Sequence, residues 1–326
     1  MGFSQAYGAV LGAFVGDASG APLEFANRIT TELVDQAMHM KGGGILNIGS
    51  GQVTDDSEMA MCQLQALHKQ SAVDHHPSIH DDLLSWYRKW AQSKPFDIGG
   101  TTSQALAVDQ HLELNDHYQR VKDVNWSSKA NGGLMRLTPL IVWTRNLGDD
   151  IKLNVLSGDT QLTHPNPSCV HASHAYGLAI HSLINHPKDV DLAMEAVGDY
   201  FKNKDTEVAT WVLEDTMIEP EDLHVTTNIG FVRWATTLAF HFLQQYTPYE
   251  DAIRQTLMLG GDTDTNAAIV GGMMGALHGV DTIPDYMKEP VLNYQYSSDT
   301  GVGYDRPDFL MVSHLPGLMN QMYHNS

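Results

Sequence analysis

Two short acidic segments carry the residue types best able to do chemistry. They are Gln52-Val53-Thr54-Asp55-Asp56-Ser57-Glu58 and Leu259-Gly260-Gly261-Asp262-Thr263-Asp264-Thr265-Asn266. Carboxylates and threonine hydroxyls are hard oxygen donors, which suit magnesium, manganese or calcium and not zinc. The second segment lacks the spacing of an EF-hand loop. Its Asp262 and Asp264 can aim at one point only if the backbone bends, and Gly260 and Gly261 permit such a bend. Each segment alone has an ordinary explanation, because acidic residues and threonine favour helix N-termini. Asp55 and Glu58 even stand at capping-box spacing. Two such segments, each opening an apolar helix, weaken that explanation.

Three further stretches draw notice. Gly16-Asp17-Ala18-Ser19-Gly20-Ala21-Pro22-Leu23-Glu24 reads as a glycine-rich loop after a first helix, with Glu24 as a possible further ligand. Asn131-Gly132-Gly133 offers a tight loop whose N–H groups could meet a diphosphate. Arg136 beyond it could pair with phosphate, although Met135 and Leu137 on either side favour a buried structural arginine. His164, before Pro165, stands apart from any His-Glu-x-x-His pattern.

The elements that must position these residues are helical. Ala6, Tyr7, Val10, Leu11, Phe14 and Val15 recur at helical period, as do Leu83, Leu84, Tyr87 and Trp90, and Val232, Ala235, Leu238, Ala239 and Phe242. Strand-like alternation is scarce, so the expectation is an all-α, compact multi-helix protein forming one domain over residues 1–326. Helices should stop near Pro77, Pro95, Pro187, Pro220 and Pro284, and residues 293–326 are richer in turn formers. Ala267, Ala268, Gly271, Gly272, Gly275 and Ala276 should let a second helix pack very close.

Composition excludes several classes. The 326 residues carry a formal net charge of −20, which repels a phosphate backbone and argues against general nucleic-acid binding. Two cysteines make no disulfide framework. No basic residue precedes the apolar stretch Ala6 to Val15, and no run approaches eighteen apolar residues. A cytoplasmic monomer without membrane contact is the expectation.

Taken in order along the chain, these motifs resemble those of the ADP-ribosylglycohydrolase family, which includes ADP-ribosylarginine hydrolases and the dinitrogenase-reductase-activating glycohydrolase. The matching residues are Gly12 to Asp17 with Glu24, Thr54-Asp55-Asp56, Asp97-Ile98-Gly99 with Thr101, Asn131 to Arg136, Thr163-His164-Pro165, Gly260 to Thr265, and Ile283-Pro284. The resemblance implies an all-helical fold and two divalent cations, Mg2+ or Mn2+, about 4 Å apart. Residue by residue, it implies that Thr54, Asp55 and Asp56 hold one ion, that Asp262, Asp264 and Thr265 hold the other, and that Asp264 bridges. Glu24 matches a glutamate near the second ion. Gly99, Gly100, Ser127, Ser128, Asn131, Gly132 and His164 fall where the family meets its substrate. Lys129 stands where some members carry an aromatic residue.

The implied reaction is hydrolysis of an ADP-ribose glycosidic bond on a modified protein, with arginine the expected acceptor. Asp56 is the first candidate for activating water, and Asp97 the second carboxylate, with Glu24 and Asp55 nearby. The alternatives are a hydrolase of a free ADP-ribosyl compound or nucleotide, and a silent crystallin-like structural relative. A phosphohydrolase using the same metals would release phosphate instead.

Overall fold

Helical periodicity is realised along nearly the whole chain. The structure, a computed structural model, describes residues 2–107 and 111–326. Its helices are α1 (Phe3–Gly20), α2 (Thr31–Met38), α3 (Asp55–Leu67), α4 (Ala72–His75), α5 (Ile79–Gln92), α6 (Gly100–Leu106), α7 (Leu114–Asn125), α8 (Thr138–Thr144) and α9 (Asp149–Gln161). They continue with α10 (Pro167–Asn185), α11 (Val190–Phe201), α12 (Glu207–Leu213), α13 (Val232–Gln244), α14 (Tyr249–Leu259), α15 (Thr263–His278), α16 (Asp285–Leu292) and α17 (Leu315–Asn325). Among the described residues there is no strand, only the isolated bridges Gly43–Ile48 and Ala130–Phe231.

The two long helices α1 and α15 are buried on every side over most of their length, as apolar all-round sequences require. In α1 every residue from Gly8 to Gly20 is buried, and in α15 every residue from Thr263 to Leu277. They lie against each other, antiparallel, because their facing residues are small. A Cβ on Gly8 would strike the backbone of Gly275, one on Gly12 that of Gly271, one on Gly16 that of Ala267, and one on Gly20 that of Thr263 and Asp264. The small-residue face of α15 therefore meets a matching four-residue glycine period in α1. The segment around Asp17, expected as a loop, is instead the last turn of α1. Gly16 and Gly20 serve helix contact there, not a turn.

Around this pair, helices such as α5, α11 and α14 show one apolar stripe each, while α3, α8 and α13 are buried on nearly every side. In α5 the buried positions are Ile79, Leu83, Leu84, Tyr87 and Trp90. α13 and α14 pack on α15, α3 packs on α5, and α9 and α11 pack on α10. One apolar cluster runs from Ala6 to Met322. No described helix is long and apolar enough to cross a membrane.

The turn-rich segment before α17 is tied to the body by side chains. Tyr304 O–H donates to the Leu46 carbonyl, and Arg306 forms a buried ion pair with Glu58. Glu58 thus makes no capping box. Its carboxylate accepts from Arg306 and from the Trp90 indole N–H at 2.6 Å.

Candidate active site

The N-termini of α3 and α15 meet at one end of the central pair. Helix starts leave backbone N–H groups without partners, and a capping side chain usually accepts them. Here neither Thr54 nor Asp262, the residues at those positions, caps its own helix. The α3 terminus is satisfied by Asp17 of α1 instead. Asp17 accepts from Thr54 N–H (3.1 Å), Thr54 O–H (2.8 Å), Ser57 N–H (3.1 Å) and Ser57 O–H (2.5 Å). The side chains of Asp55 and Asp56 are thereby left to face elsewhere.

At the α15 terminus, Gly260 and Gly261 have φ of 72° and 77°, a left-handed pair that makes the bend expected from the sequence. A Cβ on Gly261 would press on the Val225 carbonyl at 2.6 Å. The bend brings Asp262 to the Asn131 side-chain amide, which donates to it at 2.8 Å. Thr263 O–H donates to the Gly20 carbonyl, and the close approach of Gly20 sets Asp264 beside α1. Thr265 O–H lies 3.4 Å from an Asp56 oxygen, which links the two acidic segments directly.

Two carboxylate triads result. Oxygens of Asp17, Asp56 and Asp264 lie within 4.8 Å of one another, and so do those of Glu24, Asp262 and Asp264. Asp264 belongs to both. Asp17 has its oxygens occupied by threonine and serine donors, so it reads as the group that holds Thr54 and Ser57 in place. Asp56 Oδ1 and Glu24 Oε2 are buried and have no hydrogen-bond partner. A buried carboxylate oxygen without a donor is costly unless a cation or proton meets it.

The electrostatics point the same way. Burial pushes Asp17 up to about 7 and Glu24 up to about 8, with Asp97 and Asp262 adding repulsion at Glu24. Burial and then Asp262 raise Asp97 to about 6. Asp55, Asp56 and Asp264 are held well above the usual carboxylate range by burial first and neighbouring carboxylates second. Among the described residues, no lysine or arginine lines the cavity above them. The donor set fits hard divalent cations.

The cavity is lined by Glu24, Asp55, Asp97, Asp262, Asp264 and Thr265, with Gly99, Gly100, Thr101, Asn131, Gly132, Met135, His164 and Gly230 around its wall. Asp56 and Thr54 lie beneath that lining, 1% and 0% exposed. Asp55 belongs to neither triad; its Oδ2 accepts from Gly99 N–H at 3.1 Å, which draws the Asp97–Gly100 segment over the site. A Cβ on Gly99 or Gly100 would touch nothing within 4 Å. Ser127 and Ser128 do not line this cavity. Ser127 lines an adjoining groove with Lys129, Ala130 and Asn228 to Phe231, and Ser128 pairs its hydroxyl with Thr101 at 2.8 Å.

His164 is buried against Gly132, and burial, then Arg136, lowers it to about 3, so it is a neutral ring. It can offer hydrogen bonds but no charge to a diphosphate. Arg136 is fully buried, donates to Asp159 and to the Gly132 carbonyl, and lies over the Tyr87 ring. The structural reading of Arg136 holds, and its effect on the site passes through the glycine loop. Asp17 falls within the matched Gly12 to Asp17 motif, but the sequence assigns it no role of its own. Its signal was available: it sits one residue after Gly16 in the glycine period of α1.

An all-helical body that gathers carboxylates from three helix ends beneath a cavity defines a class of site: a buried acidic cluster whose donors suit hard cations. The chain belongs to the ADP-ribosylglycohydrolase family, whose model matches residues 2–311, and it is accordingly a hydrolase of ADP-ribosyl glycosidic bonds. It is 28% identical to the ADP-ribosyl-[dinitrogen reductase] glycohydrolase of Rhodospirillum rubrum, over 86% of this chain and 87% of that protein. It is 27% identical to the ADP-ribosylarginine hydrolase Tri1 of Serratia proteamaculans (strain 568), over 86% of this chain and 73% of that protein. A solved structure described as an ADP-ribosylglycohydrolase-related protein complex shares the fold, with a TM-score of 0.75 and 22% identity, covering 100% of this chain and 99% of that one.

Proposed function

We propose that the chain removes ADP-ribose from arginine side chains of modified proteins, with two divalent cations, Mg2+ or Mn2+, held between α3 and α15. The observation that carries this reading is the pair of triads sharing Asp264. Asp56, Asp264 and the hydroxyls of Thr54 and Thr265 would hold one cation, and Asp262, Asp264 and Glu24 the other. The paired ions would supply Lewis acidity, a grip on vicinal hydroxyls and an activated water. Asp55 is assigned to orienting the Asp97–Gly100 segment, through its bond to Gly99 N–H.

The remaining chemistry falls to the chain itself. The bare Gly99 and Gly100, with open space where a Cβ would stand, allow a ribose to come close to backbone. Asn131 orients Asp262, and the neutral His164 with Gly132 offers a polar wall to the diphosphate. Asp56 is too deeply buried to meet substrate directly and is better suited to ligation than to activating water. The water-activating role passes to carboxylates that face the cavity, Glu24 or Asp97. Loss of the glycosidic bond develops positive charge on the sugar ring, which this carboxylate field stabilises. The adenosine end would lie in the adjoining groove by Ser127, Lys129 and Phe231. The arginine acceptor is supported by the likeness to the ADP-ribosylarginine hydrolase.

The test is release of free ADP-ribose from arginine-, serine- and O-acetyl-linked substrates, followed by mass spectrometry with Mg2+, Mn2+ or chelator. Release from the arginine substrate that requires added cation, and its loss in Asp264→Ala, are expected. Full turnover by Asp264→Ala, or in chelator, would sink the cation assignment. Phosphate as product would replace the glycosidase reading.

A further inference from the structure

The Glu58–Arg306 pair lies outside the cavity, yet it joins two elements that shape it. Glu58 is one turn after Asp55 on α3. Arg306 comes from the segment before α17, and its guanidinium has five N–H donors in a fixed fork. Two bonds reach Glu58, from Nε at 2.7 Å and from Nη2 at 3.0 Å. The rest reach the segment that leads into Asp97: Nη2 donates to Ser93 Oγ at 2.8 Å, and Nη1 to the carbonyls of Ser93 at 3.2 Å and Lys94 at 3.4 Å. Lys94 has a φ of 55°, a left-handed conformation that a lysine adopts at a cost unless its surroundings enforce it. Two residues further on, Phe96 stacks flat on Tyr304, with centroids 4.1 Å apart and planes 5° from parallel. Tyr304 is itself fixed by Gln52, which donates to its carbonyl and accepts from its N–H, both at 3.0 Å. Gln52 is two residues before Thr54.

We propose that Tyr304 and Arg306 form a strap that positions Asp97 over the carboxylate cluster. The strap is anchored at both its contacts to the start of α3, through Gln52 and Glu58, and it grips residues 93–96 by ring stacking and by the guanidinium fork. Asp97 is the next residue after that grip, and Gly99 N–H closes the segment onto Asp55. The Asp97 carboxylate is thus registered against the α3 ligands, not left to an exposed loop. This proposal rests on the reading of Asp97 as a working group of the site.

Two readouts separate the strap from that reading. The first is hydrogen exchange by mass spectrometry on the full chain with Mg2+ bound. The paired variant E58Q/R306Q, which leaves no buried unpaired charge, and Y304L, which removes the stack and keeps the arginine, are both expected to raise exchange at least tenfold over residues 96–99. R306K, which keeps the charge and loses the fork, is expected to behave as E58Q/R306Q does. Helices α1 and α15 should keep wild-type protection. The second is kinetics on ADP-ribosylated arginine: kcat should fall at least tenfold with KM changed less than threefold, and the loss should vanish in a D97N background. Unchanged exchange at 96–99 in both E58Q/R306Q and Y304L overturns the strap whatever the kinetics. Raised exchange with a D97N enzyme of wild-type kcat would leave the strap standing and refute the role of Asp97. Equal kcat losses with and without D97N would show that Arg306 acts through something other than Asp97, and would overturn the proposal.

Discussion

At the residue scale, the site depends on carboxylates that differ in what they touch. Asp264 joins two triads, whereas Asp17 joins one only by proximity and spends its oxygens on Thr54 and Ser57. Asp17→Asn tests that division. An asparagine keeps the shape and replaces one acceptor oxygen with a donor that faces existing donors, so destabilisation of about 1–3 kcal/mol is expected. If Asp17 acts by orienting Thr54 and the start of α3, cation affinity should fall about 10–100-fold, as for other outer-shell partners. Calorimetric titration with Mn2+ on the folded variant measures this. Complete loss of binding would instead make Asp17 a direct ligand.

Whether such residues can be found from sequence depends on how their signal is spread. Asp55, Asp56, Asp262 and Asp264 lie within two residues of a threonine in short segments, and a reader meets them together. Asp17 stands alone among glycines, and a glycine-rich stretch reads as a loop unless its four-residue period is noticed. Glu58 looks like half of a capping box because Asp55 is three residues away. Its true partner, Arg306, is 248 positions distant, and no local pattern connects the two. Ser127 and Ser128 stand outside the acidic cavity, Ser127 in the adjoining groove and Ser128 bonded to Thr101 of the cavity wall, a division of one short stretch that sequence does not reveal.

At the scale of elements, the contact between α1 and α15 is the feature on which the site's geometry turns. Helical periodicity made most elements legible, and the small face of α15 foretold a close partner. Which helix that partner would be was not legible, because matching two small faces needs both to be seen as helices. Gly16→Ala should force the pair apart next to Asp17 and cost about 1–3 kcal/mol as overpacking. Gly198→Ala, in α11, meets nothing within 4 Å and should stabilise by about 0.5–1 kcal/mol through helix propensity. Paired thermal denaturation of the two variants checks the contrast. A neutral Gly16→Ala would mean that the helices have slack.

At the scale of the whole molecule, charge decides two behaviours. In chelator, the folded state holds Asp97, Asp17 and Glu24 at about 6, 7 and 8, above their ordinary carboxylate values. Through these groups the folded state binds more protons than the unfolded one, and their contribution to stability is lost as pH rises to about 8; the buried His164, His174 and His181, lowered to about 3, 4 and 3, act the opposite way below about 6.5, so the carboxylates set the slope above that pH. Cation-free protein should melt at lower temperature at pH 8 than at pH 6.5. Added divalent cation should reverse that order, since a ligand at 100 times its Kd stabilises by about 2.7 kcal/mol. Scanning calorimetry in chelator and in Mg2+ decides it. A flat chelated profile would mean that the carboxylates do not repel as described. The second behaviour follows from the net charge of −20 and an anionic ADP-ribosyl group. Like charges slow encounter and salt screens them, so kcat/KM should rise between about 20 and 200 mM salt at saturating cation. A fall would reveal a local basic approach path.

The antiparallel embrace of α1 and α15 also fixes when the site can exist. Asp17 emerges 247 residues before Asp264, so α1 must wait, its glycine face unmatched, while the intervening helices are made. No shorter nascent chain can assemble the shared carboxylate. Capture of a cation at this site is thus a late event in the life of each molecule, and its first appearance would mark the moment at which the central helix pair has closed.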